Sequence, residues 1–198
     1  VQANAKDIAA GKKKNFAAGL LDRLLLDERR LRAIAADVRK VATLKDSVGE
    51  VIESRELPNG LLLKRVRVPL GVIGMIYEAR PNVTVDAAAL CLKSGNAVIL
   101  KGGSDALNTN HALVKIMKGI LAEMKLADAV QFIDSTDRSA TQELLNARAF
   151  VDVIIPRGSA SLIQFVRDNS KVPVIETGAS VVHTYVDQDA DLKKAVKI

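Results

Sequence analysis

Two short segments bring together the residue types that hold phosphate. Lys101-Gly102-Gly103-Ser104 and Arg157-Gly158-Ser159 each set a cation beside small residues, so backbone N–H groups can approach an anion while a charge neutralises it. An anion at a helix N-terminus gains roughly 0.3 to 1 kcal/mol when exposed and up to about 2 kcal/mol when partly buried, so one such turn is a weak holder and two together are a plausible one. Neither segment reads G-x-G-x-x-G or G-x-x-x-x-G-K-[ST], which disfavours an ordinary Rossmann dehydrogenase and a P-loop enzyme. On local pattern alone, a plain turn accounts for Gly102 and Gly103 as well. A third polar turn, Tyr77-Glu78-Ala79-Arg80-Pro81-Asn82, offers a carboxylate, a guanidinium and an amide. The planar fork of Arg80 suits a substrate phosphate or carboxylate, a charged hydrogen bond worth about 1.5 to 3 kcal/mol. The alternative for Arg80 is a surface pair with Glu78, worth about 0 to 1 kcal/mol.

These turns need a scaffold, and the hydrophobic pattern supplies one. Val66 to Tyr77, Ala97 to Lys101, Ala129 to Ile133, Val151 to Ile155 and Pro173 to Ile175 read as short buried strands. Helix patterns lie between them, at about Val83 to Ser94, Asp105 to Lys125, Arg138 to Ala147 and Ser159 to Asp168. Such alternation predicts an α/β fold with an open, mostly parallel, Rossmann-like sheet and helices on both faces. Ligands of such sheets sit at the carboxyl ends of the strands, which is where all three turns fall. Residues 68–198 are therefore expected to form a nucleotide-binding domain. Upstream, Leu20, Leu21, Leu24, Leu25, Leu31, Ile34, Val38 and Val41 recur at helical spacing, giving an N-terminal helical arm over residues 1–47. Residues 48–67 hold two β-prone runs around Pro58-Asn59-Gly60, where Asn-Gly is expected to supply the positive φ angles of a tight hairpin.

Composition narrows the function classes. With 198 residues, 48% hydrophobic, the chain can bury a real core. The single cysteine, Cys91, rules out an internal disulfide and the paired thiolates of common metal sites, so no metal is expected. Cys91 sits in AAALCL on a helix pattern and reads as a buried, inert thiol. His183 reads as packed or hydrogen-bonded on a strand, and His111 as solvated on a helix flank. The net charge of +6 is scattered, and two tyrosines, four phenylalanines and no tryptophan offer little stacking surface, so a nucleic-acid partner is not expected. No run of about 18 apolar residues exists, and the first residues lack the apolar core of a signal peptide, so no membrane partner and a cytoplasmic setting are expected.

The stretch VPLGVIGMIYEARPNVTVDAAALCLKSGNAVILKGGSDA, from Val68, resembles the signature of the gamma-glutamyl phosphate reductases, a family of the aldehyde dehydrogenase superfamily. The likeness continues through NAKD (Asn4 to Asp7), LLDRLLL (Leu20 to Leu26), LPNG (Leu57 to Gly60), VDVIIPRG (Val151 to Gly158) and VPVIETG (Val172 to Gly178). It implies an aldehyde dehydrogenase type of sheet and the NADPH-dependent reduction of L-glutamyl 5-phosphate to L-glutamate 5-semialdehyde, a step of proline biosynthesis. In that chemistry a cysteine thiolate attacks the acyl phosphate and hydride reduces the resulting thioester. The resemblance places that nucleophile downstream of Ile198, so no catalytic residue is expected within the chain. It assigns Lys101 to the adenosine ribose or its 2′-phosphate, with Gly102, Gly103 and Ser104 beside it. Arg157, Gly158 and Ser159 would lie near the pyrophosphate. Glu176, followed by Thr177 and Gly178, would lie near the nicotinamide, the local alternative being a carboxylate that caps a helix. Glu78, Arg80 and Asn82 would face the substrate. Ser180-Val181-Val182 departs from the family's Gly-x-Cys run. The resemblance further implies NADP(H), a homo-oligomer and glutamate 5-kinase as a candidate partner. A non-catalytic assembly module using the hairpin as its interface, and the reductase half of a kinase-fused synthase, are the alternatives.

Overall fold

The computed structural model describes residues 1–176 and 183–197. Three helices, α1 (Gln2–Lys13), α2 (Ala18–Leu24) and α3 (Glu28–Thr43), precede a hairpin of β1 (Val51–Glu56) and β2 (Leu62–Val66). Then come β3 (Val72–Tyr77), α4 (Pro81–Lys93), β4 (Ala97–Gly102), α5 (Leu107–Glu123), β5 (Val130–Phe132), α6 (Arg138–Asn146), β6 (Val153–Arg157) and α7 (Ala160–Asn169). Strands β3 to β6 form one sheet in the order β5-β4-β3-β6, every neighbouring pair parallel. This is the α/β fold the alternation predicts. Pro173 to Ile175 contributes only an isolated parallel bridge, Val174 to Ile154.

Burial on both sides of the sheet explains its apolar strands. Val83, Ala88 and Cys91 of α4 and Val114 of α5 pack with Ile73, Val98 and Leu100 in one core. Leu144 and Leu145 of α6 and Val166 of α7 pack with Ile76 and Ile154 in the other. The long strand expected from Val66 divides in two because Pro69 lacks an N–H and Gly71 has φ +115°. The hairpin also differs in detail. Of its two turn residues only Gly60 has positive φ, at +81°. Pro58 fixes its own φ near −65° and so favours a type I turn over Pro58-Asn59, closed by the Gly60 N–H on the Leu57 carbonyl, with Gly60 as the bulge residue. His183 is exposed and lies outside any strand.

The N-terminal helices are docked onto the sheet domain by polar contacts. Asp7, 3% exposed, accepts from the backbone N–H of Asn108 (3.3 Å) and Thr109 (2.8 Å), from Asn108 Nδ2 (2.7 Å) and from Thr109 Oγ1 (2.5 Å). A residue of α1 thus satisfies free donors of the first turn of α5. Asn4 completes the joint, donating to the Leu24 carbonyl (2.8 Å) and accepting from the Leu26 N–H (2.8 Å), which fixes α2.

Candidate cofactor and substrate site

Chain order runs from β3 outward through β4 to β5, then returns to β6 on the other side of β3. The crevice between β3 and β6 is therefore the topological switch point, the place where open parallel sheets bind ligands. The strands end level there, with Tyr77 opposite Gly102 on one side and opposite Arg157 on the other. Beyond those ends lies a cavity of about 480 Å³, within the usual range for a small-molecule site.

Three loops and one helix line it. Glu78, Ala79 and Arg80 come from the end of β3, Gly103, Ser104 and Asp105 from the end of β4, and Arg157, Gly158 and Ser159 from the end of β6. Leu20 and Arg23 come from α2. Ala79 has φ +27°, an unfavourable angle for a residue with a Cβ, at the bend that carries both Glu78 and Arg80 into the lining. Arg23, Arg80 and Arg157 have no ion-pair partner among the described residues, whose arginine ion pairs lie elsewhere. The pair between Glu78 and Arg80 that would have made Arg80 a surface residue does not form. Three unpaired guanidinium groups beside a helix N-terminus make a donor set suited to phosphates and carboxylates.

Glu78 turns instead to α7. Its Oε2 accepts from the Ser159 N–H (2.7 Å) and its Oε1 from Ser159 Oγ (3.0 Å). Ser159 is the N-cap of α7, its Oγ accepting from the Leu162 N–H (3.3 Å). Gly158 permits the approach, since a Cβ there would lie 2.6 Å from Glu78 Oε2 and 2.8 Å from Leu162 Cδ2.

Lys101 is not part of this lining; it is 6% exposed at the end of β4, on the side toward β5. Its ammonium donates to the carbonyls of Ser135 (2.9 Å) and Gly102 (3.3 Å), and burial pushes its pKa below the usual lysine value. It is thus not a solvated lysine. Two of its three donors have carbonyl partners, which leaves one for a ligand. Gly102 is buried, and a Cβ on it would fall on Asn110 Nδ2 and within 3.2 Å of the Tyr77 ring. Tyr77, Thr84 and Asn110 form a buried chain, Tyr77 Oη to Thr84 Oγ1 at 2.7 Å and Thr84 Oγ1 to Asn110 Oδ1 at 2.9 Å. The local need for glycine at position 102 is therefore packing.

The other residues singled out from the sequence fall outside the cavity lining. Asn82 is in the first turn of α4, donating to Asp86 Oδ2 (3.0 Å). Glu176 pairs with Arg167 of α7 (3.2 Å). Thr177, Gly178 and Ser180-Val181-Val182 lie outside the described residues. Conversely, Arg23 and Asp105 enter the lining unannounced. Arg23 carries no local signal, because only the docking of α1 and α2 brings it there.

Cys91 is 7% exposed in the core between α4 and the sheet, and burial pushes its thiol up to about 11. At pH 8 it should resist iodoacetamide in the folded protein and react fully only after unfolding. Native alkylation at the rate of a free thiol would return it to the list of nucleophiles.

The aldehyde dehydrogenase family matches residues 28–198. Gamma-glutamyl phosphate reductase of Clavibacter michiganensis is 57% identical over the whole chain, which covers 46% of that protein. That of Moorella thermoacetica is 56% identical over 99% of the chain and 47% of its own length. The crystal structure of gamma-glutamyl phosphate reductase from Thermotoga maritima superposes with TM-score 0.89 at 47% identity, over 99% of this chain and 48% of that one. The Saccharomyces cerevisiae structure gives TM-score 0.81 at 36% identity, over 100% and 50%. The chain spans about half the length of the curated relatives it matches.

Proposed function

Because the chain belongs to the aldehyde dehydrogenase family, we propose that it forms the cofactor-binding side of a reductase that converts L-glutamyl 5-phosphate to L-glutamate 5-semialdehyde and phosphate, with NADPH as reductant. The observation that carries this reading is the cavity at the β3–β6 switch point, where Arg23, Arg80 and Arg157 stand beside the N-terminus of α7 without ion-pair partners among the described residues. The likeness of this chain, over its own length, to about half the length of gamma-glutamyl phosphate reductases supports the choice of substrate.

In this reading Gly158 and Ser159 receive the pyrophosphate on the α7 N-terminus, and Lys101, with Gly102, Gly103 and Ser104, serves the adenosine ribose and its 2′-phosphate. Arg157 balances the pyrophosphate charge. Glu176, with Thr177 and Gly178, belongs to the nicotinamide end. The bound dihydronicotinamide supplies the hydride. Arg80 holds the phosphoryl or carboxylate group of the substrate, while Glu78 and Asn82 shape the same turn. The family's chemistry also needs an acyl-accepting thiol, and the burial and high pKa of Cys91 argue against that role for it. This chain's own residues bind, orient and neutralise.

The setting follows from the same reading. An acyl phosphate is labile in water, which favours direct supply by glutamate 5-kinase. Val51, Ile52, Leu62 and Leu63 leave the hairpin with exposed apolar side chains, which supports a homo-oligomer contact there. Among the described residues no helix is long and apolar enough to cross a membrane, and a cytoplasmic enzyme is the proposal.

The test is phosphate-dependent reduction of NADP by glutamate 5-semialdehyde in the intact protein, with Arg80→Lys as the site variant. Lysine keeps the charge and loses the fork, so in this assay KM for phosphate or for the semialdehyde should rise roughly tenfold with kcat less affected. Absence of turnover in the intact protein would remove the reading, and an unchanged KM would remove Arg80 from it.

A further inference from the structure

The Glu78 carboxylate stands where an incoming phosphate would stand. It takes the Ser159 N–H and Ser159 Oγ in the way two phosphoryl oxygens would, at 2.7 and 3.0 Å. It does so although three arginines line the same cavity, none in an ion pair with Glu78, so the carboxylate favours the α7 N-terminus over the guanidinium groups. The contact also divides space. Glu78 lines the 480 Å³ cavity and a second cavity of about 440 Å³ beside α6 and α7, whose wall includes Arg138, Ser161, Leu162 and Phe165. The second cavity has an apolar wall fit for a planar base and a cation fit for a phosphate. The Glu78–Ser159 link lies between the two, whereas a dinucleotide needs one continuous groove across the α7 N-terminus.

From this arrangement we infer that Glu78 is an internal competitor for the diphosphate of the cofactor: it occupies the N-terminus of α7 in the free protein and is displaced when the diphosphate binds. The inference rests on the cofactor reading above and goes beyond it, since there Glu78 was only part of the substrate turn. Displacement has a destination, because Arg80 and Arg157 line the first cavity without ion-pair partners among the described residues. The carboxylate therefore leaves one favourable site for another, and the two cavities join. Glu78 acts as a positioning residue that sets cofactor affinity from within the site.

A residue that merely supported α7 would weaken binding when altered, whereas a competitor strengthens it, so the sign of the effect decides. In the intact protein, Glu78→Gln removes the charge with little change of shape and should tighten NADPH and ADP by the same factor, roughly fivefold, while leaving adenosine unchanged. Glu78→Ala, which cannot cap α7 at all, should act in the same direction, and its thermal unfolding reports whether the fold is kept. Titration showing equal or weaker affinity for both diphosphates in both variants overturns the inference. Binding and turnover separate the two ideas. Tighter ADP binding without phosphate-dependent turnover would sustain Glu78 as competitor and sink the reductase reading, and turnover with no gain in affinity would do the reverse.

Discussion

Asp7→Ala should lower stability by about 3 kcal/mol or more, one of the largest effects of any single change. The carboxylate is buried and receives four hydrogen bonds from Asn108 and Thr109. Hydrogen bonds to a charged group contribute about 1.5 to 3 kcal/mol, and donors left buried without a partner cost about 1 to 3 kcal/mol each. Asp7→Asn keeps one acceptor in place and should lose less. Urea unfolding of both variants checks the order, and a loss below about 1 kcal/mol for alanine would show that water replaces the carboxylate without penalty. The change should also be felt at the cavity, because the same joint holds α2, which supplies Leu20 and Arg23 to the lining. Cofactor binding should therefore weaken in Asp7→Ala even where the fold persists.

Lys101→Met should lower NADPH affinity by roughly 10- to 100-fold, the size of a lost charged hydrogen bond. Methionine keeps the length of the buried stem and removes the ammonium, including its hold on the Ser135 carbonyl. The wild-type pH profile carries the same assignment. Burial lowers the Lys101 pKa, and an anionic phosphate favours the protonated form. Affinity should thus be full at low pH and fall as pH rises through the lowered value, before an ordinary lysine would titrate. In Lys101→Met that dependence should vanish. Titration calorimetry across pH measures both, and equal affinity in the variant would place the 2′-phosphate elsewhere.

What was legible in the chain divides along the range of the forces involved. The parallel sheet followed from the alternation of apolar strands and amphipathic helices, because burial on both faces leaves its mark on every strand. The turns after β3, β4 and β6 were legible as loops that meet at one edge of the sheet, where they line a cavity, since a strand's carboxyl end and its polar residues are adjacent in sequence. The packing demand on Gly102 was not legible: its small size answers to Asn110 and Tyr77 across the sheet domain, which no local pattern reveals. Lys101 gave no sign that its ammonium is buried on a carbonyl 34 residues away. Arg23 was invisible for the same reason, its place depending on Asn4 and Asp7. The helical spacing from Leu20 to Val41 marked α2 and α3 as helical, and only the hydrogen bonds of Asn4 and Asp7 in α1 show where the arm sits.

That joint also bears on the order in which the molecule assembles. Asp7 and Thr109 are 102 residues apart, so α1 emerges from synthesis long before the helix whose donors it satisfies. Local contacts form early and distant ones late, because closing a long loop costs chain entropy before any contact repays it. Strand β3, helix α4 and strand β4 can pair while the first helices are still unattached. The docking of α1 should therefore come late in folding, and with it the completion of the cavity wall. Binding competence should then lag behind the formation of the sheet, and refolding followed by a cofactor probe should trail refolding followed by backbone signals.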